Sequence, residues 1–459
     1  MAMTHTAREA ALEALCDMRR RGVFAADALQ KACEAVSDAR EAALAYRLTL
    51  TVAQNRLLLD AALDAARSGG SLEPLVRDIL RLGAAQLLFL RVPPHAAVSE
   101  AVSQARAACP RAAGLVNAVL RKIAGLTPED VVSRGGGAPG SRAAIALRYS
   151  LPDWLTDELL ARLSLAEVEA FGAATSAIRP VTLIENPLRP CGEAVGQPHP
   201  LLPGARLYDG VAARAPGFRD GAWLVADAAA RAVVSALGVS TLGAQPGMRI
   251  WDACAAPGGK AFLAAMDMRG QGHVLATDIS LKKLEKVRAG ARRLGVENIL
   301  DVQQADASEY RPDGIFDAVL CDVPCSGLGV LANKPDIRYK TPDRFERLPN
   351  IQRAILENAA KAVKPGGILV YATCTFRRQE NEDVVDAFLA DRGGRSSHPE
   401  FVKEGFALPF AGGPSSATRQ EIASGEVTLW PHLHGTDGFY MCRMRKSSSA
   451  GGPSSSGGA

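Results

Sequence analysis

The chain reads as an all-α N-terminal domain followed, through a small α+β connector, by an α/β Rossmann-like domain with a doubly wound, mostly parallel sheet. Three observations predict this. The first 125 residues are Ala/Leu-rich with helical spacing, a Gly/Pro-rich stretch follows, and beyond Gly247 short apolar runs alternate with helical spans. At 459 residues the chain is also longer than a single hydrophobic core usually supports.

In the first part, residues 1–125, Val76, Ile79, Leu80, Ala84, Leu87 and Leu88 recur every three or four positions and trace one face of a helix. Pro93-Pro94 stops that helix, another pattern runs from Ala96 to Ala107, and Val116, Val119, Leu120 and Ile123 mark a last one. Gly135-Gly136-Gly137 and Pro139-Gly140 predict a linker over residues 126–142. Residues 143–245 mix helical stretches (Trp154 to Leu165, Ala226 to Leu237) with a strand-like run, Val181 to Ile184, and form the connector. Across residues 246–446, Met248 to Trp251, His273 to Thr277, Phe316 to Leu320 and Ile368 to Tyr371 are the strands of a parallel sheet. The small, polar tail at 447–459 is expected to be disordered.

Hydrophobic residues at 47% and charged residues at 22% belong to a folding globular chain. The N-terminal MAMTHTAREAALEAL lacks the basic-then-apolar pattern of a signal peptide, and no uncharged apolar run is long enough to span a bilayer, so a cytoplasmic protein is expected. Nine cysteines without framework spacing predict reduced thiols. Residues 1–125 hold 16 Lys and Arg against 12 Asp and Glu, whereas the remainder balances at 37 of each sign, so the whole net charge of +4 lies in the helical part. That asymmetry hints at a polyanion contact, although a solvated basic helix face has the same arithmetic. Nothing points to more than a monomer.

The loop Asp252-Ala-Cys-Ala-Ala-Pro-Gly-Gly-Lys260 joins a predicted strand to a predicted helix, the place where an α/β sheet binds its cofactor. Gly258 and Gly259 let a ligand approach the backbone, and the helix start offers N–H groups to the carboxylate of an amino-acid-like cofactor. A Walker A loop would need Gly at 254 and Ser or Thr at 261, where Cys254 and Ala261 stand, and no G-x-G-x-x-G is present. Asp278 ends the next strand and can accept both hydroxyls of a ribose. Asp306, after a third strand, is placed for an adenine edge.

Cys325, in Asp322-Val-Pro-Cys-Ser-Gly, and Cys374, in Tyr371-Ala-Thr-Cys-Thr, follow the two later strands, so two cysteines meet over one cleft. A cysteine in a polar cleft is a natural covalent catalyst. Cys16, Cys33, Cys109 and Cys442 read as structural thiols. Cys321 with Cys325, and His432 with His434, lack zinc-site spacing, and no metal is expected.

DACAAPGGK, DVPCSG, YATCT with Glu380-Asn381-Glu382 behind it, and Asp437-Gly-Phe-Tyr440 resemble, in that order, the motif series of the Sun-type RNA cytosine-5 methyltransferases. LRLGAAQLLFLRVPPHAAVSEAV and LVNAVLRKI resemble the NusB-like RNA-binding domain that the bacterial ribosomal member of that family carries. Together the similarity runs from Ala7 to Lys446. It implies S-adenosyl-L-methionine as cofactor, contacted with the target base by Cys254, Ala255, Ala256, Pro257, Gly258, Gly259, Lys260, Asp278, Asp306 and Asp322. It further implies Cys374 as nucleophile and Cys325 as the residue that assists release. DNA cytosine methyltransferases attack with the Pro-Cys cysteine instead, so this division rests on the family and not on spacing. The implied partner is 16S ribosomal RNA, free or in an assembling small subunit, at the cytosine the family numbers 967. Thr375 stands where serine is usual, and Ala226 where glutamine is common. The same chemistry on transfer RNA or another RNA, or a non-catalytic RNA-binding factor acting in antitermination, are the competing readings.

Overall fold

The computed structural model describes residues 5–448 except 68, 91, 178, 194, 239–243, 393–399 and 412–414; residues 449–459 of the expected disordered tail lie outside the described residues. The chain divides into two units: Met1–Ala177 with Val330–Pro342, and Ile178–Gly329 with Asp343–Ala459. Among the described residues no helix is long and apolar enough to cross a membrane.

The first unit is helical. Its opening helix, Ala7–Arg21, begins at a capping box between Thr6 and Glu9 and ends at Gly22 in the left-handed region. Pro74–Leu88 lies at the centre, burying Val76, Ile79 and Leu80 with Leu48, Leu59 and Val116. Gly83 on that helix lets Ala113–Ile123 close in, since a Cβ there would lie 2.5 Å from Leu120 Cδ1. Asp78, on the buried face of the Pro74–Leu88 helix, is satisfied by Arg19 at 2.9 Å and Arg81 at 3.2 Å.

The expected linker is instead part of this unit. Pro128–Gly135 is a helix, started by a Thr127–Asp130 capping box and anchored by buried Val131 and Val132. Gly136 serves a close approach: a Cβ there would meet the Cα of Ala144 at 2.8 Å. Helices Arg142–Arg148, Asp153–Leu160 and Leu165–Ser176 also belong here, so the connector predicted for 143–245 is divided between the two units. Local composition suggested flexibility; burial on neighbouring helices overrides it. The segment Val330–Pro342 is held by Arg338, fully buried, which donates to the carbonyls of Gln54 (2.9 Å) and Tyr149 (2.7 Å). Arg56 lies 3.6 Å over the ring of Tyr339 beside it.

The second unit carries twelve strands among the described residues. β1 (Val181–Glu185), β2 (Gln197–Pro198), β3 (Ala205–Tyr208) and β4 (Trp223–Val225) form an antiparallel sheet in the order β2-β3-β1-β4. The main sheet comprises β5 (Arg249–Asp252), β6 (His273–Asp278), β7 (Leu300–Gln304), β8 (Phe316–Asp322), β9 (Val363–Thr373), β10 (Phe401–Lys403), β11 (Glu426–Leu429) and β12 (Phe439–Lys446). Its order is β10-β12-β9-β8-β5-β6-β7, with β11 also on β12. Pairs among β5 to β9 are parallel, and β10 to β12 add antiparallel pairs at one edge. Trp251, Phe316, Val319, Leu369 and Tyr371 fill the core between sheet and helices. From β5 the chain builds first outward through β6 and β7, then returns to place β8 on the other side of β5. That reversal makes the carboxyl ends of β5 and β8 a topological switch point, where open α/β sheets bind ligands.

Candidate active site

Strand register brings the predicted residues together. Asp252 pairs with Leu320 across β5 and β8, and Asp322 pairs with Ala372 across β8 and β9, so the loops bearing Cys254, Cys325 and Cys374 leave the sheet side by side. The sulfurs of Cys325 and Cys374 lie 3.2 Å apart and are not joined as a disulfide. The Cys374 N–H donates to the Cys325 sulfur at 3.3 Å. Hydrogen bonding to Cys374 and then burial push the Cys325 thiol well up, with the charges of Glu380 and Asp322 acting in the same direction.

The Cys254 to Lys260 loop is bound to the end of β6. The Ala255 N–H donates to the Thr277 carbonyl (2.7 Å), Ala256 N–H to Asp278 Oδ2 (3.2 Å), and Gly258 N–H to the Ala255 carbonyl (2.7 Å). Gly258 adopts φ +109°, which L side chains rarely adopt, and packs on Phe262. These inward bonds leave less of the loop backbone for a ligand than the glycines alone suggested. Pro257 is exposed, Gly259 opens the helix Gly259–Asp267, and half-buried Cys254 packs against the core, its thiol raised chiefly by burial. Asp278 accepts also from the Ser280 N–H at 2.9 Å. Exposed Asp306 accepts from the Ser308 hydroxyl (2.6 Å) and N–H (2.9 Å), which hold its carboxyl below the usual range.

Lys260 turns from the loop toward the chemistry. Its ammonium sits 2.6 Å from Asp322 Oδ2 and 4.8 Å over the ring of Phe439. Burial alone would lower its pKa, but Asp322 and then the Cys374 sulfur outweigh burial and raise it. Residue spacing had placed Lys260 only with the cofactor loop.

Two sets of residues that the sequence reading quoted only as parts of motifs, without a role, also belong to the site. Asp252, last in β5, is buried, and neither carboxylate oxygen is in hydrogen-bonding geometry with a donor; the Cys254 N–H gives only weak electrostatic relief. Burial first, then the charge of Asp322, raise it to about 7. Its place at a strand end, like that of Asp278, was the available signal. The second set is the Asp437-Gly438 pair: the Gly438 N–H donates to the Gly329 carbonyl at 2.8 Å, and the Asp437 N–H to Asp227 at 2.9 Å. A Cβ on Gly329 would lie 1.9 Å from the Gly438 oxygen, so both glycines serve backbone-to-backbone contact, next to the Cys374 carbonyl that accepts from the Gly329 N–H at 2.9 Å. A separate cavity of about 500 Å³, near Trp223, Arg231 and Asp267, contains none of these residues.

The sequence profile of the family described as 16S rRNA methyltransferase RsmB/F matches residues 239–445, and that of the NusB family matches residues 5–125. The probable ribosomal RNA small subunit methyltransferase B of Synechocystis is 31% identical over 470 residues, covering 96% of this chain and 99% of that protein. The chain belongs to the RsmB/F family of ribosomal RNA methyltransferases. A second RsmB/F relative, the probable small subunit methyltransferase B of Bacillus subtilis, is 31% identical, covering 96% of this chain and 98% of its own. The crystal structure of PH0851 has the same fold, with a TM-score of 0.73 at 22% identity over 97% of this chain and 100% of that one. The RsmB/F cofactor is S-adenosyl-L-methionine. The residues present fit it: Asp252 is a buried carboxylate whose oxygens have no hydrogen-bond partner, Asp278 ends β6, and Asp306 lies two residues beyond the end of β7.

Proposed function

We propose that this protein methylates C5 of a cytosine in 16S ribosomal RNA, at the position its family numbers 967, through a covalent bond between Cys374 and C6. The names of its relatives support the small-subunit substrate. The observation that carries the chemistry is the pair of reduced cysteine sulfurs 3.2 Å apart at the carboxyl ends of β8 and β9. The cytoplasm, where ribosomal RNA is made, is the expected compartment.

Cytosine C5 is too electron-poor to accept a methyl group directly. Cys374 adds to C6 as thiolate, its electron pair forming the S–C6 bond while the C5–C6 pair shifts to make C5 nucleophilic. The Lys260 ammonium supports negative charge on the Cys374 sulfur and on the ring as the thiolate adds, while Asp322, paired with Lys260, would hold the base by accepting from its exocyclic amine. S-adenosyl-L-methionine, when bound, supplies an electrophilic methyl on a sulfonium. Asp252, Asp278, Asp306 and the Cys254 to Lys260 loop would hold it. After methylation a base removes the C5 proton, the C5–H pair restores the double bond, and the Cys374 thiolate leaves. Cys325, its sulfur 3.2 Å from that of Cys374, is the group placed to assist this release, and it can take the C5 proton only as a thiolate, after its own proton has passed to solvent. The basic helical unit supplies phosphate contacts, and the target base is taken out of its stack.

The test is a pair of substitutions assayed with labelled cofactor and unmodified small-subunit RNA. Cys374→Ala should lower methyl transfer on the order of 10³-fold or more. Cys325→Ala should accumulate a protein–RNA adduct that survives denaturing electrophoresis. Full turnover without the residue 374 thiol would end this reading, and bisulfite mapping of a deletion strain identifies the nucleotide.

A further inference from the structure

Glu380 and Asn381 follow the Cys374 loop, and each reaches both neighbours of one cysteine. Glu380 is fully buried, and its Oε2 accepts from the Ser326 N–H at 2.8 Å and from Gln352 Nε2 at 3.0 Å. Gln352 Nε2 also donates to the Pro324 carbonyl at 3.0 Å, so Glu380 controls both residues flanking Cys325, one directly and one through Gln352. Asn381, also fully buried, accepts from the Thr373 hydroxyl at 2.6 Å and donates to the Thr375 carbonyl at 3.0 Å. Those are the two residues flanking Cys374. The halves are joined by the Ser326 hydroxyl donating to the Thr375 hydroxyl at 2.8 Å, and by the Tyr371 hydroxyl donating to the Glu380 carbonyl at 2.5 Å. Arg377, 3.4 Å from Glu380 Oε1, supplies the opposite charge that lets a carboxylate remain buried.

We propose that Glu380 and Asn381 are positioning residues acting as one clamp: each grips the flanks of one cysteine, and together they set the spacing of the two thiols and keep their roles distinct. A buried carboxylate with several donors is rigid, because loss of any one donor leaves a charge partly unsolvated. Its negative charge also opposes ionisation of Cys325, in keeping with the upward shift of that thiol. Glutamine cannot replace it. A neutral amide would either turn its NH₂ toward the donors on Ser326 and Gln352 or turn it toward the Arg377 guanidinium.

This inference rests on the cysteine assignment under Proposed function, so the experiment has one arm that needs no methyl transfer. In the full-length protein alone, alkylation of Cys325 and Cys374 by iodoacetamide is followed by mass spectrometry from pH 6 to 9 as an exploratory range of about three units. In Glu380→Gln, Cys325 should alkylate several-fold faster than in the wild type, with its pH profile moved to lower pH. In the second arm, Glu380→Gln and Asn381→Ala should lower kcat by roughly 10- to 100-fold, the cost of sub-ångström to ångström misplacement, with KM for S-adenosyl-L-methionine little changed. Gln352→Ala removes one donor and the tie to Pro324, and should move both readouts the same way by a smaller factor if Glu380→Gln does not fold. Folded variants with wild-type Cys325 alkylation and wild-type kcat overturn the clamp. A parallel loss of cofactor KM and kcat without altered thiol reactivity also overturns it, since that pattern marks general loosening. A wild-type enzyme that methylates without any cysteine adduct refutes the covalent mechanism instead, and leaves the alkylation arm to judge the clamp.

Discussion

Cys325 and Cys374 hold their sulfurs 3.2 Å apart across two adjacent strand-end loops, with the Cys374 N–H directed at the Cys325 sulfur. A disulfide needs a separation of about 2.05 Å, so only a short approach divides the two states.

Mild oxidation should therefore inactivate the enzyme reversibly. One equivalent of hydrogen peroxide would take one proton and one electron from each thiol, form the S–S bond and leave two waters. Activity should fall with the loss of two free thiols and return with dithiothreitol. Inactivation with an unchanged thiol count would contradict this.

Asp252 gives a pH signature. Its carboxyl, near the ordinary aspartate value in the unfolded chain, is raised to about 7 in the ligand-free fold, so its favourable contribution is present below about pH 4 and lost as pH rises through 7. Asp252→Asn should stabilise the ligand-free protein at pH 8, by up to a few kcal/mol, and the advantage should shrink toward pH 5. Cofactor affinity should fall in the same variant. Thermal melts across pH and calorimetric titration check both; an advantage independent of pH would refute the assignment.

Lys260 and Asp322 are paired at 2.6 Å and are 13% and 25% exposed. Lys260→Met should destabilise by about 1–3 kcal/mol, because it leaves two carboxylates facing each other with less compensation. Adding Asp322→Asn should restore stability but not turnover. Recovery of activity in the double variant would show that the pair is structural only.

Gly329→Ala should be among the most damaging single-methyl additions in the catalytic unit. Its Cβ would fall 1.9 Å from the Gly438 oxygen, in a place where the Gly329 N–H also donates to the Cys374 carbonyl at 2.9 Å. We expect a loss of about 2–4 kcal/mol, or a retained fold with displaced Cys374 and much reduced kcat. Melting temperature and single-turnover rate together distinguish the two, and wild-type values for both would show that the contact can relax.

Local pattern alone determined the helical first part, four strands of the main sheet to within two residues of their carboxyl ends (Trp251, Thr277, Leu320 and Tyr371 against the observed Asp252, Asp278, Asp322 and Thr373), and the loops carrying Cys254, Cys325 and Cys374. Periodicity and Gly/Pro punctuation act over a few residues, and those features are encoded over the same span. Only the tertiary structure decided that 126–142 is packed helix and turn, because burial of Val131 and Val132 and the approach of Gly136 to Ala144 depend on residues not yet in view. The same holds for Arg338 returning to the helical unit, for Lys260 facing Asp322, for the orphaned Asp252, and for Glu380 and Asn381 reaching the flanks of two cysteines. Arg338 depends on helices far from it in sequence, and the others on β8 lying beside β5 and β9, a long-range pairing that no short window of sequence specifies; buried polar groups find their partners only once such contacts exist.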